Sequence, residues 1–311
     1  MTTISATSIA SSVGKLTGDR VDTLLLRYPR WIHAEGRTHR LMSLGEDFEI
    51  SVPTPSLMED PNLSRNASSS RAIPVSRLIQ DVLDDPAVPL FWGKNQKGMQ
   101  AGEELSGNAL SMAKLHWNDA MRHAIDHAQA LHEDGAHKQL VNRLLEPFSH
   151  ITVVCTSTNW SNFLHLRDHA DAEPHIRILA QEVRKALEGA TPQVLYPGDW
   201  HLPFVNVTDE HGVEPLALSG GEALQNAIKL SVARCASTSY KTVDGFDMTI
   251  ERAVELHDKL VAQDPLHASP CEHQCSPDQL DCTTGQYEHP EKHGNLRGFV
   301  QYRKTLSGER R

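Results

Sequence analysis

Apolar residues recur at helical spacing in three separate stretches of this chain, with a few strands expected between them, and this ordering constrains the fold more than any other feature. Val75, Leu78, Ile79, Val82 and Leu83 form the first stripe, behind Pro74, whose fixed φ and missing N–H suit a helix start. Ile176, Leu179, Ala180, Val183 and Leu187 form the second, behind Pro174. Ile250, Ala253, Val254, Leu256, Leu260 and Val261 form the third. The Ala-rich stretch from Asp119 to His132 predicts another helix. Ile151 to Cys155 is short and β-branched, which predicts a buried strand. Strands and helices do not alternate regularly, so a doubly wound parallel sheet is not expected. No G-x-G-x-x-G follows a strand, so a flavin or nicotinamide would need another scaffold.

A chain of 311 residues makes one large domain or two ordinary ones. Its 39% hydrophobic and 23% charged residues are those of a soluble globular protein. The formal net charge of −10 argues against nucleic-acid binding, which needs a basic surface, yet leaves room for a local basic pocket. Cys155, Cys235, Cys271, Cys275 and Cys282 are odd in number and unevenly spaced. That is not a disulfide framework, and a reducing cytoplasm is the expected location. The first residues, Met1 to Gly18, are rich in Ser and Thr and lack a secretory pattern, so residues 1–24 are expected to be a flexible tail. No apolar run approaches the roughly 20 residues of a membrane span. Residues 43–63 and 276–295 are polar and rich in Pro and Gly, which predicts loops.

Four constellations carry chemistry. Ser64-Arg65-Asn66-Ala67-Ser68-Ser69-Ser70-Arg71 precedes the helix behind Pro74. Small hydroxyl residues at a helix start, with two arginines, suit a phosphate, although taken alone the segment reads first as a polar loop with an N-cap. Thr38-His39-Arg40 follows an aromatic stretch and suits a flat anionic ring, or a charged surface. His267-Ala268-Ser269-Pro270-Cys271-Glu272-His273 gathers two histidines and a carboxylate, a pattern for acid–base work or a metal. Cys271, Cys275 and Cys282 add to a zinc reading, although their spacings are not those of a C-x-x-C pair. Arg143-Leu144-Leu145-Glu146-Pro147 and Asn162-Phe163-Leu164-His165-Leu166-Arg167 each fix an arginine beside an apolar segment, to face a base or to form an ordinary ion pair.

Taken together, these segments resemble the flavin-dependent thymidylate synthases, the ThyX family. That family carries R-H-R-x7-S, H-x-S/T-P-F-E-H, R-x-x-L-P and N-x-x-x-L-R segments. His39-Arg40, Ser69 with Arg71, Arg143 to Pro147, Asn162 to Arg167 and His267 to His273 are similar to them in turn, and the resemblance covers residues 25–306. Trp92 to Gln100, Ser231 to Cys235 and Gly294 to Lys304 are similar to segments of viral members. The departures are specific. Thr38 stands for the first arginine, Ala67 for the acidic residue before the serine, and Cys271 for phenylalanine. Residues 43–63 read as an insertion, because joining Met42 to Ser64 restores the family spacing. The motif order is also permuted, with H-x-S-P near the C-terminus.

The resemblance implies an α+β fold, an antiparallel sheet flanked by long helices, and conversion of dUMP to dTMP. Methylenetetrahydrofolate would donate the carbon, and NADPH would supply hydride through FAD. It implies Ser69, Ser70 and Arg71 as substrate ligands, with Arg143 and Arg167 both binding substrate and stabilising negative charge on the uracil. It implies His39, Arg40, Leu41, Asn162, Leu166, Ser269 and Glu272 as FAD contacts, with His267 near folate and nucleotide and no resident metal. It further implies a homotetramer with shared sites, and neither nucleic acid nor membrane as a partner. Two alternatives stay open at this point: a hydroxymethylase of the same fold, and a non-catalytic or zinc-binding protein on that scaffold.

Overall fold

The computed structural model describes residues 3–33, 63–67 (backbone only), 70–98, 102–205, 221–237, 249–264, 266 and 268–309. Its centre is a five-stranded sheet in the order β3-β4-β2-β1-β5. The strands are β1 Ser5–Gly14, β2 Arg20–Pro29, β3 Leu63–Ala67, β4 His150–Ser157 and β5 Gln193–Leu195. All neighbours pair antiparallel except β1 and β5, which run parallel. Mixed helices and strands around a mainly antiparallel sheet agree with the expected class.

Strand β1 corrects one expectation. The residues read as a flexible tail are instead an inner strand, paired from Ser5↔Arg27 to Val13↔Arg20 with a bulge between Ser8 and Ala10. Residues 20–24, also assigned to the tail, open β2. The sequence SATSIASSVG holds few large apolar groups, so its pattern is faint. Small and β-branched side chains nonetheless fit a pleated surface between two neighbours.

Side chains alternate across the sheet, and the two faces have different coverings. Leu24, Leu26 and Tyr28 of β2 stand opposite Cys155, Val153 and Ile151 of β4. Helix α5, Pro174–Gly189, covers that face with Ile176, Leu179, Ala180 and Val183. Each such aliphatic side chain, fully buried, contributes roughly 1.5–3 kcal/mol. Pro174 takes the first turn of α5, and Glu173 caps it by accepting from the backbone N–H of His175 and Ile176. The preceding short helix α4, Ser161–Arg167, sends Phe163 into the same core.

A second core lies at the start of β4. Helices α1, Val75–Asp84, and α2, Gly107–Glu133, enclose Val141, Leu145 and Phe148 there, beside the one-turn helix α3, Lys138–Val141. A third core joins helices α6, Glu222–Ala236, and α7, Ile250–Val261, to Cys271 and Tyr302. Thr249 caps α7, accepting from the Arg252 N–H. None of the described helices is long and apolar enough to cross a membrane.

The segment 276–295, expected to be a loop, is short strands and turns bonded to one another. Strand β6, Cys275–Pro277, pairs with β9, Phe299–Gln301, and β7, Leu280–Asp281, pairs with β8, Gln286–Tyr287. Asp278 is buried among them and accepts from the Gln279 and His289 N–H groups and from His293 Nε2. Residues 43–62 lie outside the described part of the chain, and Leu63 already belongs to β3.

Candidate functional site

Ser70 and Arg71 stand between β3 and α1, and the backbone around them is clamped. Asn142, fully buried, donates through Nδ2 to the Ser70 carbonyl at 2.6 Å and the Ile73 carbonyl at 2.9 Å. Lys138 Nζ donates to the Ala72 carbonyl at 2.8 Å. Side-chain donors thus meet three carbonyls that a loop leaves without ladder partners. The Ser70 hydroxyl is buried and donates to Glu146 Oε1 at 2.6 Å. Arg143 Nη1 donates to the two Glu146 oxygens at 3.1 and 3.2 Å. Three sequence-predicted elements, Ser70, Arg71 and Arg143, are therefore close neighbours. Ser69 lies outside the described residues, and Arg71 is exposed.

Arg30 joins this group. It begins the 3-10 turn Arg30–Ile32, which packs on the turn Glu146–Phe148. Its backbone N–H donates to the Ser149 carbonyl at 2.9 Å, and its Nε to Ser149 Oγ at 3.3 Å. Burial pushes the Arg30 guanidinium below its ordinary value, and the Glu146 carboxylate works against that shift. Sequence reasoning missed Arg30 and Asn142, because nothing local distinguishes either residue.

The second group surrounds the 3-10 turn Ser269–Glu272, which lies against β3. This turn comes some 200 positions later in the chain than the Ser70 loop, as the residue numbers show. Ser269 is half-buried, whereas Cys271 is fully buried among Leu224, Ile228, Val232 and Tyr302. Burial, and secondarily the Glu272 charge, pushes the Cys271 thiol up to about 12. Burial also raises the Glu272 carboxyl, against the attraction of Arg303. Arg303 Nη1 forms a hydrogen-bonded ion pair with Glu272 Oε1, and Gln301 Nε2 donates to the Glu272 carbonyl at 3.0 Å. His267 and His39, Arg40 and Leu41 lie outside the described residues.

His273 closes the turn and anchors it to the sheet. Its Nδ1 bonds Thr156 Oγ1 at 2.9 Å; Thr156 meets Thr23 at 2.7 Å; Thr23 meets His201 Nε2 at 2.8 Å; and His201 Nδ1 meets Ser12 Oγ at 2.8 Å. All five side chains are buried. Burial pushes both imidazoles down to about 3, so both rings are neutral. His273 Nε2 has no hydrogen-bond partner among the described residues. This network was not visible in the sequence, where its members are scattered from position 12 to 273.

Helix α4 carries the third group. Asn162 and Arg167 are half-buried, and Leu166 is 40% exposed. Asp168, next along, accepts from Arg184 Nε at 2.9 Å, and that bond holds its carboxyl below the usual range. Phe163 packs on the sheet face of Val153 and Leu24, while His273 reaches Thr156 on the opposite face. Helix α4 and the residue that closes the Ser269 turn thus attach to opposite faces of the sheet.

Among the described residues, the zinc reading finds no structural support. All five cysteines are free thiols, and Cys155, Cys235, Cys271 and Cys275 are buried, whereas Cys282 is exposed. Among the described residues, no group of three His, Cys, Asp or Glu is arranged to hold a metal ion.

No protein-family model matches the chain, and no curated protein matches it. Among solved structures, it is similar to a UMP/dUMP methylase, PolB from Streptomyces cacaoi, bound with 5-Br UMP. That match has 14% identity and a TM-score of 0.44, covering 60% of this chain and 89% of the other. The same methylase bound with 5-Br dUMP matches at 13% identity and a TM-score of 0.42, covering 60% of this chain and 90% of the other.

Proposed function

We propose that this chain is a flavin-dependent thymidylate synthase, converting dUMP to dTMP with methylenetetrahydrofolate as carbon donor and NADPH as reductant through FAD. One observation carries the reading. Segments that resemble separate motifs of one family, and stand in permuted order, converge: Leu63–Ala67 lies against Ser269–Glu272, and Ser70 is tied to Arg143 through Glu146. A chance set of motif-like strings has no reason to meet in space.

In this reading, Ser69, Ser70 and Arg71 bind the nucleotide phosphate. Arg143 and Arg167 bind substrate and stabilise charge that develops on the uracil, work suited to fixed cations. His39, Arg40, Leu41, Asn162, Leu166, Ser269 and Glu272 contact FAD, and His267 lies near folate and nucleotide. The described members of the flavin set fit that group in kind. Ser269 and Asn162 offer hydrogen bonds to a polar ring edge, Leu166 offers an exposed apolar side chain, and Arg303 holds Glu272 in place. When bound, FAD supplies the redox chemistry that no side chain provides. Because α4 and the Ser269 turn stand on opposite faces of the sheet, a complete site draws on more than one copy, in keeping with a homotetramer.

The test is a product assay. Protein is mixed with dUMP, methylenetetrahydrofolate, NADPH and FAD, and the nucleotide is weighed by mass spectrometry. A methylated nucleotide supports the proposal. A hydroxymethylated one replaces it with the hydroxymethylase, and an unchanged nucleotide with no flavin bound rejects it.

A further inference from the structure

Glu146 makes the one contact in the Ser70–Arg143 group that a phosphate site should not contain. A serine hydroxyl donates a single hydrogen bond, and that of Ser70 goes to Glu146 Oε1 at 2.6 Å. Arg143 Nη1 turns to the same carboxylate at 3.1 and 3.2 Å. A phosphate oxygen can take the Ser70 hydrogen only after Glu146 has released it. A carboxylate beside a phosphate monoester, which carries about −1.5 to −2 charge near neutral pH, is also repelled.

We propose that Glu146 is the resident counter-anion of the nucleotide-phosphate site, holding Ser70 and Arg143 in its place until the substrate phosphate displaces it. The proposal rests on the nucleotide reading above. The surroundings suit such an exchange. The Arg143 side chain is 56% exposed and that of Glu146 23%, so the pair is open to solvent on the arginine side. The serine is held from behind, because Asn142 fixes the Ser70 carbonyl. Arg30 is the fixed cation of the group, with its Nε on Ser149 Oγ, which itself donates to the Glu146 carbonyl at 3.1 Å. With Glu146 in place, one carboxylate is bonded to Arg143 and its charge also favours the Arg30 guanidinium. When it leaves, the unfavourable charge of Arg143 on Arg30 is no longer offset, and a dianion answers both charges. An ordinary ion pair that merely positions Arg143 makes the opposite prediction for removal of the carboxylate.

Glu146→Gln separates the two. Gln keeps the shape and an acceptor for Ser70, and removes the charge. Titration calorimetry of the full-length protein with dUMP, and with deoxyuridine as the phosphate-free control, reads the result. We expect dUMP to bind about tenfold tighter to Glu146→Gln, as removal of a nearby like charge predicts after screening, with deoxyuridine unchanged. Ser70→Ala should weaken dUMP several-fold. If the Gln variant does not fold, Glu146→Ala takes its place with the same expectation. Unchanged or weaker dUMP binding in a folded variant overturns the counter-anion role alone. Absence of dUMP binding in wild type and variants alike overturns the nucleotide reading and this proposal with it.

Discussion

Replacing Asn142 by alanine should cost about 3 kcal/mol of stability and loosen the Ser70 loop. Asn142 is fully buried, and its Nδ2 donates to two carbonyls, those of Ser70 and Ile73. Alanine removes both bonds and so strands two buried acceptors, at about 1–3 kcal/mol apiece. Two effects offset part of the sum. Neighbouring groups relax, and the Asn142 Oδ1, which has no partner among the described residues, no longer has to be buried. Asn142→Asp sharpens the test. An ionised aspartate points an acceptor at two acceptors, and only its protonated form donates. Its pKa in the folded state must therefore rise above the unfolded value of about 3.9. Stability of that variant is greatest below about pH 4 and falls as pH climbs toward the folded pKa. Urea unfolding of wild type and both variants between pH 4 and 8 reads all of this. The aspartate variant should be the least stable at pH 8 and recover toward the alanine variant in acid. An alanine variant within about 0.5 kcal/mol of wild type, or an aspartate variant indifferent to pH, would refute the assignment of the amide as donor.

Three further outcomes are expected. His201 and His273 are buried and neutral with pKa values near 3, so wild-type stability should fall as pH drops below the unfolded value of about 6.5 toward 3; His201→Gln should flatten that slope in urea titrations, and an unaltered slope would count against it. Arg303→Ala leaves the half-buried Glu272 unpaired and should cost about 1–3 kcal/mol in chemical denaturation, with Arg303→Lys recovering part; a neutral result would mean that the pair does not hold the turn. Arg167→Ala should leave flavin absorbance intact while turnover collapses, and undiminished turnover would show that this residue's role has been carried over wrongly.

Helices were legible where one face had to be apolar. The stripes behind Pro74 and Pro174 and the one starting at Ile250 became α1, α5 and α7, because burial of a single face writes its period into the sequence. The strand at Ile151 was legible for the same reason, since its β-branched run is buried. Strand β1 was not. Its serines, threonines and alanines gain their place from neighbouring strands, and small side chains leave no periodic trace. The site was legible only as separate strings. That Asn142 clamps the Ser70 loop, that Glu146 occupies its hydroxyl, or that Arg303 pairs with Glu272 depends on contacts between residues 31 to 76 positions apart. No local pattern encodes such distances. His39 to Leu41, Ser69 and His267 lie outside the described residues.

The chain of side chains from Ser12 to His273 has a direction. Each neutral imidazole carries one proton to share between two nitrogens, and each hydroxyl carries one. Only two arrangements of the four bonds put both threonine protons to use. In one, Ser12 donates to His201, every bond points toward His273, and the free His273 Nε2 bears a proton. In the other, every bond points back toward Ser12, and that nitrogen presents a lone pair. The orientation is thus a single binary state spread over five residues. Its readout is the donor or acceptor character of one buried nitrogen, immediately behind the turn proposed to hold the flavin. A substitution at Ser12, in the stretch that looked like a loose tail, would reset that character from two strands away on the same face of the sheet.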